Sequence, residues 1–137
     1  MDDDAVLAQV EAVRQVPGRP ATVRVRSGVG TAAALWCGDP TEVGREHHVE
    51  WTVHETVAWD GNTRPADSFS PKLAEDGRRI VFRGRLSLTG DGGAVLEVAG
   101  SQILFDLADP LPPAASDGTW VEGRVERNSV SLWPYVL

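Results

Sequence analysis

Residues 79–88 read Arg79-Ile80-Val81-Phe82-Arg83-Gly84-Arg85-Leu86-Ser87-Leu88, with Asp91-Gly92-Gly93 just beyond. Apolar Ile80, Phe82, Leu86 and Leu88 alternate with Arg79, Arg83, Arg85 and Ser87, the period of two that sends successive side chains to opposite faces of a strand. Asp-Gly after such a run is a hairpin signal, because glycine supplies the positive φ that a tight turn needs. Ala94 to Val98 and Gln102 to Leu107, separated by Gly100-Ser101, continue the pattern. Asp109-Pro110-Leu111-Pro112-Pro113 then forces a loop.

The same period runs through most of the chain. Val23 and Val25 alternate with Arg24 and Arg26, Ser27-Gly28-Val29-Gly30 turns, and Thr31 to Cys37 returns before Gly38-Asp39-Pro40. From His47 to Trp59 the odd positions Val49, Trp51, Val53, Val57 and Trp59 are apolar except Glu55. Thr119 to Glu126 and Ser129 to Val136 read as a closing hairpin that turns at Arg127-Asn128. About eight strands in roughly 115 residues predict an all-β domain, either a small, partly open barrel or a two-sheet sandwich. Two segments stand apart. Asp3 to Val16 has an acidic start, Val6, Leu7, Val10 and Val13 at helical spacing and a stop at Pro17-Gly18, which predicts an N-terminal amphipathic helix within residues 1–18. Residues 60–78 lack periodicity and are expected to form a long loop, acting as a lid, contact loop or disordered tip.

The run Gly118-Thr-Trp-Val-Glu-Gly-Arg-Val-Glu-Arg-Asn-Ser-Val-Ser-Leu-Trp-Pro-Tyr resembles strand segments of oligonucleotide/oligosaccharide-binding (OB) folds, where a V-x-G-x-V strand curls at its glycine. Gly84 and Gly123 suit strongly bent barrel strands. The resemblance covers about twenty residues and implies an OB-like barrel. It implies no activity, because such folds host many unrelated functions.

At 137 residues with a net charge of −7, the chain is long enough to bury one ordinary core without staples. Its single cysteine, Cys37, excludes an intrachain disulfide framework and a zinc ribbon. The acidic balance argues against nucleic-acid binding, which needs a concentrated basic surface to neutralise phosphates. No apolar run approaches the roughly 18 to 20 residues of a membrane span, and Met1-Asp2-Asp3-Asp4 is unlike a basic signal-peptide start. A cytoplasmic protein without a membrane partner is expected. Twelve arginines against one lysine suggest a GC-rich coding bias, so arginine choice by itself carries little functional meaning.

Motifs for catalysis fail on their context. Gly28-Val29-Gly30-Thr31-Ala32-Ala33 matches a dinucleotide fingerprint, but Gly38-Asp39-Pro40 leaves no room for its helix, so a hairpin turn is expected. Trp36-Cys37-Gly38 lacks the second cysteine of a redox pair. His48, Glu50 and His54 offer a metal-ligand set, yet residues 48 and 54 would stand about 20 Å apart along a strand. No catalytic residue, metal or cofactor is assigned. Alternation places Trp120, Glu122, Arg124 and Glu126 on one face and Ser131, Trp133 and Tyr135 on the corresponding face of the hairpin partner, and Arg83 and Arg85 join them if their strand is adjacent. Aromatics and guanidiniums together are interface anchors. The expected function is a non-enzymatic binding module that self-associates as a homodimer or takes a protein partner, with Trp120, Arg124, Trp133, Tyr135, Arg83 and Arg85 at the contact. The alternatives are a small-molecule carrier or small enzyme with a pocket at the barrel mouth, and an acidic inhibitor or immunity-type protein for a basic partner.

Overall fold

A computed structural model describes residues 8–14, 21–39, 44 and 46–134. Among these residues the chain forms thirteen strands and no helix of seven or more residues. The strands are β1 (Ala8–Arg14), β2 (Thr22–Ser27), β3 (Gly30–Trp36), β4 (Glu46–His47), β5 (Val49–Val53), β6 (Val57–Ala58), β7 (Thr63–Pro65), β8 (Lys72–Asp76), β9 (Arg79–Leu88), β10 (Gly93–Val98), β11 (Ser101–Ala108), β12 (Trp120–Glu126) and β13 (Val130–Pro134). Seven of them close into a barrel. Hydrogen-bonded ladders run β3–β13–β5–β11–β10–β9–β8, and β8 returns to β3 through Gly30 and Leu73. The remaining strands extend this frame, with β2, β1 and β4 outward from β3, β12 and β7 outward from β9, and β6 beside β11.

Strand β9 is the organising element. Arg85 pairs with Glu97 of β10 and with Trp120 of β12, so β10 and β12 occupy opposite edges of β9. Residues 79–83 pair with both β12 and β8, so β8 shares the β10 edge and takes it over where β10 ends. Gly84 sits at that handover. A Cβ built there would lie 2.0 Å from the Glu97 carbonyl oxygen, so only glycine permits the approach. Gly30 plays the same part where the barrel closes: its φ is +142° and a Cβ would overlap the Leu73 carbonyl oxygen at 1.6 Å.

Ile80, Phe82 and Leu86 of β9 point inward, as their alternation predicts, and meet Trp51, Leu96, Ile103, Val121, Val125 and Leu132 in the core. Trp51 and Phe82 meet edge to face, with ring centroids 5.4 Å apart. The interior is filled, and the internal voids around Phe82 measure about 10 Å³ each. The expected hairpin at Gly28 and Gly30 forms, with β2 and β3 paired antiparallel.

Three expectations are corrected. The helix expected within 1–18 is not seen: Ala8–Arg14 is strand, while residues 1–7 and 15–20 lie outside the described residues. Val6, Val10 and Val13 fit a helical stripe, but Ala8, Val10 and Ala12 fit a strand equally well. The open edge of β2 decides between them by supplying a ladder, with one register shift near Val13 and Val10 fully buried. The long loop expected at 60–78 contains β7 and β8, which reduces its irregular part to residues 66–71. Strand β8 carries no β-branched or aromatic residue, so its pairing with β9 and β3, rather than its own propensity, makes it a strand. The closing hairpin is absent too. A 3-10 turn at Arg127–Ser129 sends the chain across the barrel, so β12 pairs with β9 and β7 while β13 pairs with β5 and β3.

Glu55, the one polar residue in the alternating run, holds that turn. Its carboxylate accepts hydrogen bonds from the Glu126 amide at 2.6 Å, the Ser129 hydroxyl at 2.8 Å and the Asn62 amide at 3.3 Å.

Replacing Gly84 or Gly30 with alanine is expected to cost about 2–3 kcal/mol or more, because backbone must move. Gly28→Ala, with no atom within 4 Å of the new Cβ, serves as the near-neutral control. Denaturant midpoints of the three variants check this, and an unchanged Gly84→Ala midpoint would refute the handover.

Candidate functional site

The register brings most of the expected contact residues onto one outer sheet face. On β12, Val121, Gly123 and Val125 point inward, which turns Trp120, Glu122 and Arg124 outward. Strand β9 places Arg83 opposite Glu122 and Arg85 opposite Trp120. The Arg85 guanidinium lies 5.9 Å from the Trp120 ring centroid, a cation–π contact. Strands β8 and β7 then extend the row, with Lys72 beside Arg83 and Arg64 beside Glu122. Glu122 is 12% exposed and stands 3.7 Å from the guanidiniums of Arg64, Arg83 and Arg124. Arg124 also reaches Asp76 at 2.6 Å. Arg83 donates through Nε to the Ser70 carbonyl at 2.9 Å, which pins the 66–71 loop and its 79% exposed Phe69 beside the face.

This face runs against the charge of the chain. Residues 63–88 and 120–127 hold eight of the thirteen Lys and Arg but five of the twenty Asp and Glu, a local balance of +3 in a chain of −7. A charge is felt over about 8 Å at physiological ionic strength, so a partner docking here meets the local sign. Guanidiniums in a fixed row are suited to carboxylate or phosphate recognition.

Trp133 stands elsewhere. Cross-strand partners form one outward row, Trp120–Arg85–Glu97–Gln102–Glu50–Trp133, over six strands. Five strand spacings of about 4.8 Å put its two tryptophans roughly 24 Å apart along the curved wall. Trp133 is 47% exposed, and Tyr135 lies outside the described residues. Sequence reasoning missed Arg64 and Lys72 because both fall in the segment taken for a loop. The weak alternation of Lys72-Leu73-Ala74 was the available signal.

Other chemistry finds little support. Ser131 Oγ and His54 Nε2 are 2.7 Å apart, but Ser131 is 3% exposed, which leaves the hydroxyl inaccessible to a substrate. Among the described residues no cluster of three or more His, Cys, Asp or Glu side chains could hold a metal ion. His48 and His54 bracket β5, one just before and one just after its five residues. A shallow depression of about 660 Å³ lies over Glu55 and Arg127, but Glu55 is committed to the turn it holds.

An open groove of about 250 Å³ crosses the outer wall of β10 and β11. Val95, Leu104 and Thr52 line it, with Asp91 and Asp106 also at its surface. Hydrogen bonds from the Thr89 hydroxyl and the Gly93 amide hold the Asp91 carboxyl below the ordinary range.

No family model, curated protein or solved structure matches this chain. Among the described residues no helix is long and apolar enough to cross a membrane.

Trp120→Ala and Trp133→Ala are expected to change stability by about 1 kcal/mol or less, whereas Trp51→Ala in the core costs about 3–5 kcal/mol. Thermal melts distinguish the groups, and a large loss at Trp120 would make it a core residue. Because the Asp91 pKa is lowered on folding, its stabilising contribution is present above its unfolded pKa and is lost as pH falls through the folded value. An NMR titration of Asp91 is therefore expected to give a midpoint below 3.8, and Thr89→Val to raise it.

Proposed function

We propose that this protein is a non-enzymatic interaction module that associates with copies of itself, using the outer face of β9 and β12 as the contact. Arg83, Arg85, Trp120 and Arg124 carry the face, and Arg64 and Lys72 extend it. The observation that supports this reading is the row of cations and one tryptophan around Glu122 in an otherwise acidic chain. Arginine and tryptophan are the residue types that concentrate binding energy at interfaces. Trp133 is a second, separate surface in this reading.

The barrel interior offers no support for a carrier or small enzyme. Voids of about 10 Å³ are far below the roughly 300–1,000 Å³ of ligand pockets. An acidic inhibitor of a basic partner would use the wall beside the basic face, where residues 86–119 contain no Lys, Arg or His. A cytoplasmic setting accords with the single cysteine of the chain.

Light scattering and sedimentation over a concentration series at low salt test the proposal. Association is expected for the native protein. Trp120→Ala and Arg85→Ala should each weaken it by about tenfold or more, equivalent to about 1.4 kcal/mol, with the fold intact by circular dichroism. A native protein that stays monomeric throughout would overturn the proposal.

A further inference from the structure

The basic face has a complement on the same molecule. From Leu86 to Thr119 the chain has no Lys, Arg or His, and it carries Asp91, Glu97, Asp106, Asp109 and Asp117, all exposed. The pairing of Gly93 with Asp106 brings Asp106 beside the turn that contains Asp91, and both carboxylates border the 250 Å³ groove. Its surface includes half-buried Val95 and Leu104, which pair across β10 and β11 and point outward. Apolar surface with carboxylates beside it suits a long cationic side chain: the methylene stem covers the valine and leucine, and the guanidinium reaches the carboxylates.

The two territories adjoin. Arg85 at the margin of the basic face pairs directly with Glu97 at the margin of the acidic wall. Oppositely charged patches side by side are self-complementary under a two-fold rotation about their seam. Each copy then lays its basic strip on the other's acidic groove, and both contacts form at once. A single complementary contact would instead leave both poles open and propagate.

Resting on the self-association proposed above, we infer that the contact is a closed two-fold dimer in which the basic β9–β12 face of one copy, led by Arg85, docks on the Asp91–Asp106 groove of a second copy. Trp120, next to the seam through Arg85, lies near the axis. Charge complementarity selects a second copy as the occupant, since it carries the required groove and the required face together.

A charge exchange tests this. Arg85→Asp leaves a copy with its leading cation reversed, and Asp106→Arg reverses the groove. Each variant alone is expected to weaken self-association by about tenfold or more, and an equimolar mixture to recover it as a heterodimer, because both contacts are again complementary. Native mass spectrometry distinguishes the heterodimer by mass, and recovery also shows that both variants fold. Raising salt from roughly 50 to 500 mM should weaken the native dimer, as screening shortens the reach of its charges. A native dimer that neither reversal weakens would overturn this arrangement while leaving self-association standing, with the Trp133 surface as the next contact to test. Weakening by both reversals without recovery on mixing would overturn the reciprocal docking. A native monomer would overturn self-association itself.

Discussion

Backbone meets backbone without a side chain between them at Gly30 and Leu73, the one pair among the described residues that joins β8 to β3 and closes the barrel. Strand β3 is occupied by β2 along one edge, and the other edge is shared by β13 near Trp36 and β8 at Gly30. Any Cβ at residue 30 would push β8 off this edge, and β9 is laddered to β8 over residues 79–83. The position of β9, and with it the direction in which Arg83 and Arg85 point, therefore depends on a contact that carries no side chain.

The change of neighbour along one edge of β9, at Gly84, follows from the same economy of space. Ladders to β8 and β12 hold its first half, and ladders to β10 and β12 hold the stretch beyond Gly84. One strand thus joins the basic sheet to the acidic wall. The interior is filled, so the polar groups open to contact lie on the outer surface. Three guanidiniums converging on Glu122 at 3.7 Å neutralise one carboxylate and leave an excess of positive charge on the face.

Much of this was legible in the chain. The alternation in 79–88, 94–98 and 102–107 places Ile80, Phe82, Leu96, Ile103 and Phe105 in the core, and Asp91-Gly92-Gly93 marks the turn between β9 and β10. The outward side of β9 and β12 was legible as well, with Arg83 and Arg85 on one strand and Trp120 and Arg124 on the other, while their being neighbours came from the ladder between the two strands. The partner of a strand was not. Val6, Val10 and Val13 gave a helical period to a segment that also fits a strand, and the vacant edge of β2 settled it. Lys72-Leu73-Ala74-Glu75-Asp76 has too little hydrophobic alternation to identify itself, although it closes the barrel. Turn residues at 127–129 suggested a hairpin, but a turn says where the chain bends and not which ladder it enters next.

By itself, then, the sequence determined an all-β domain, the side of each periodic strand that faces inward, the tight turns at glycine and the absence of a disulfide framework. These follow from local rules: the two-residue period, the reach of φ at glycine and the count of cysteines. Only the tertiary structure decided the closure through Gly30, the conversion of 72–76 into strand, the separation of Trp133 from Trp120 and the addition of Arg64 and Lys72 to the basic face. Each of those depends on which strand edges meet across large sequence separations. That choice is made by the whole set of backbone hydrogen bonds and the packing of the core together.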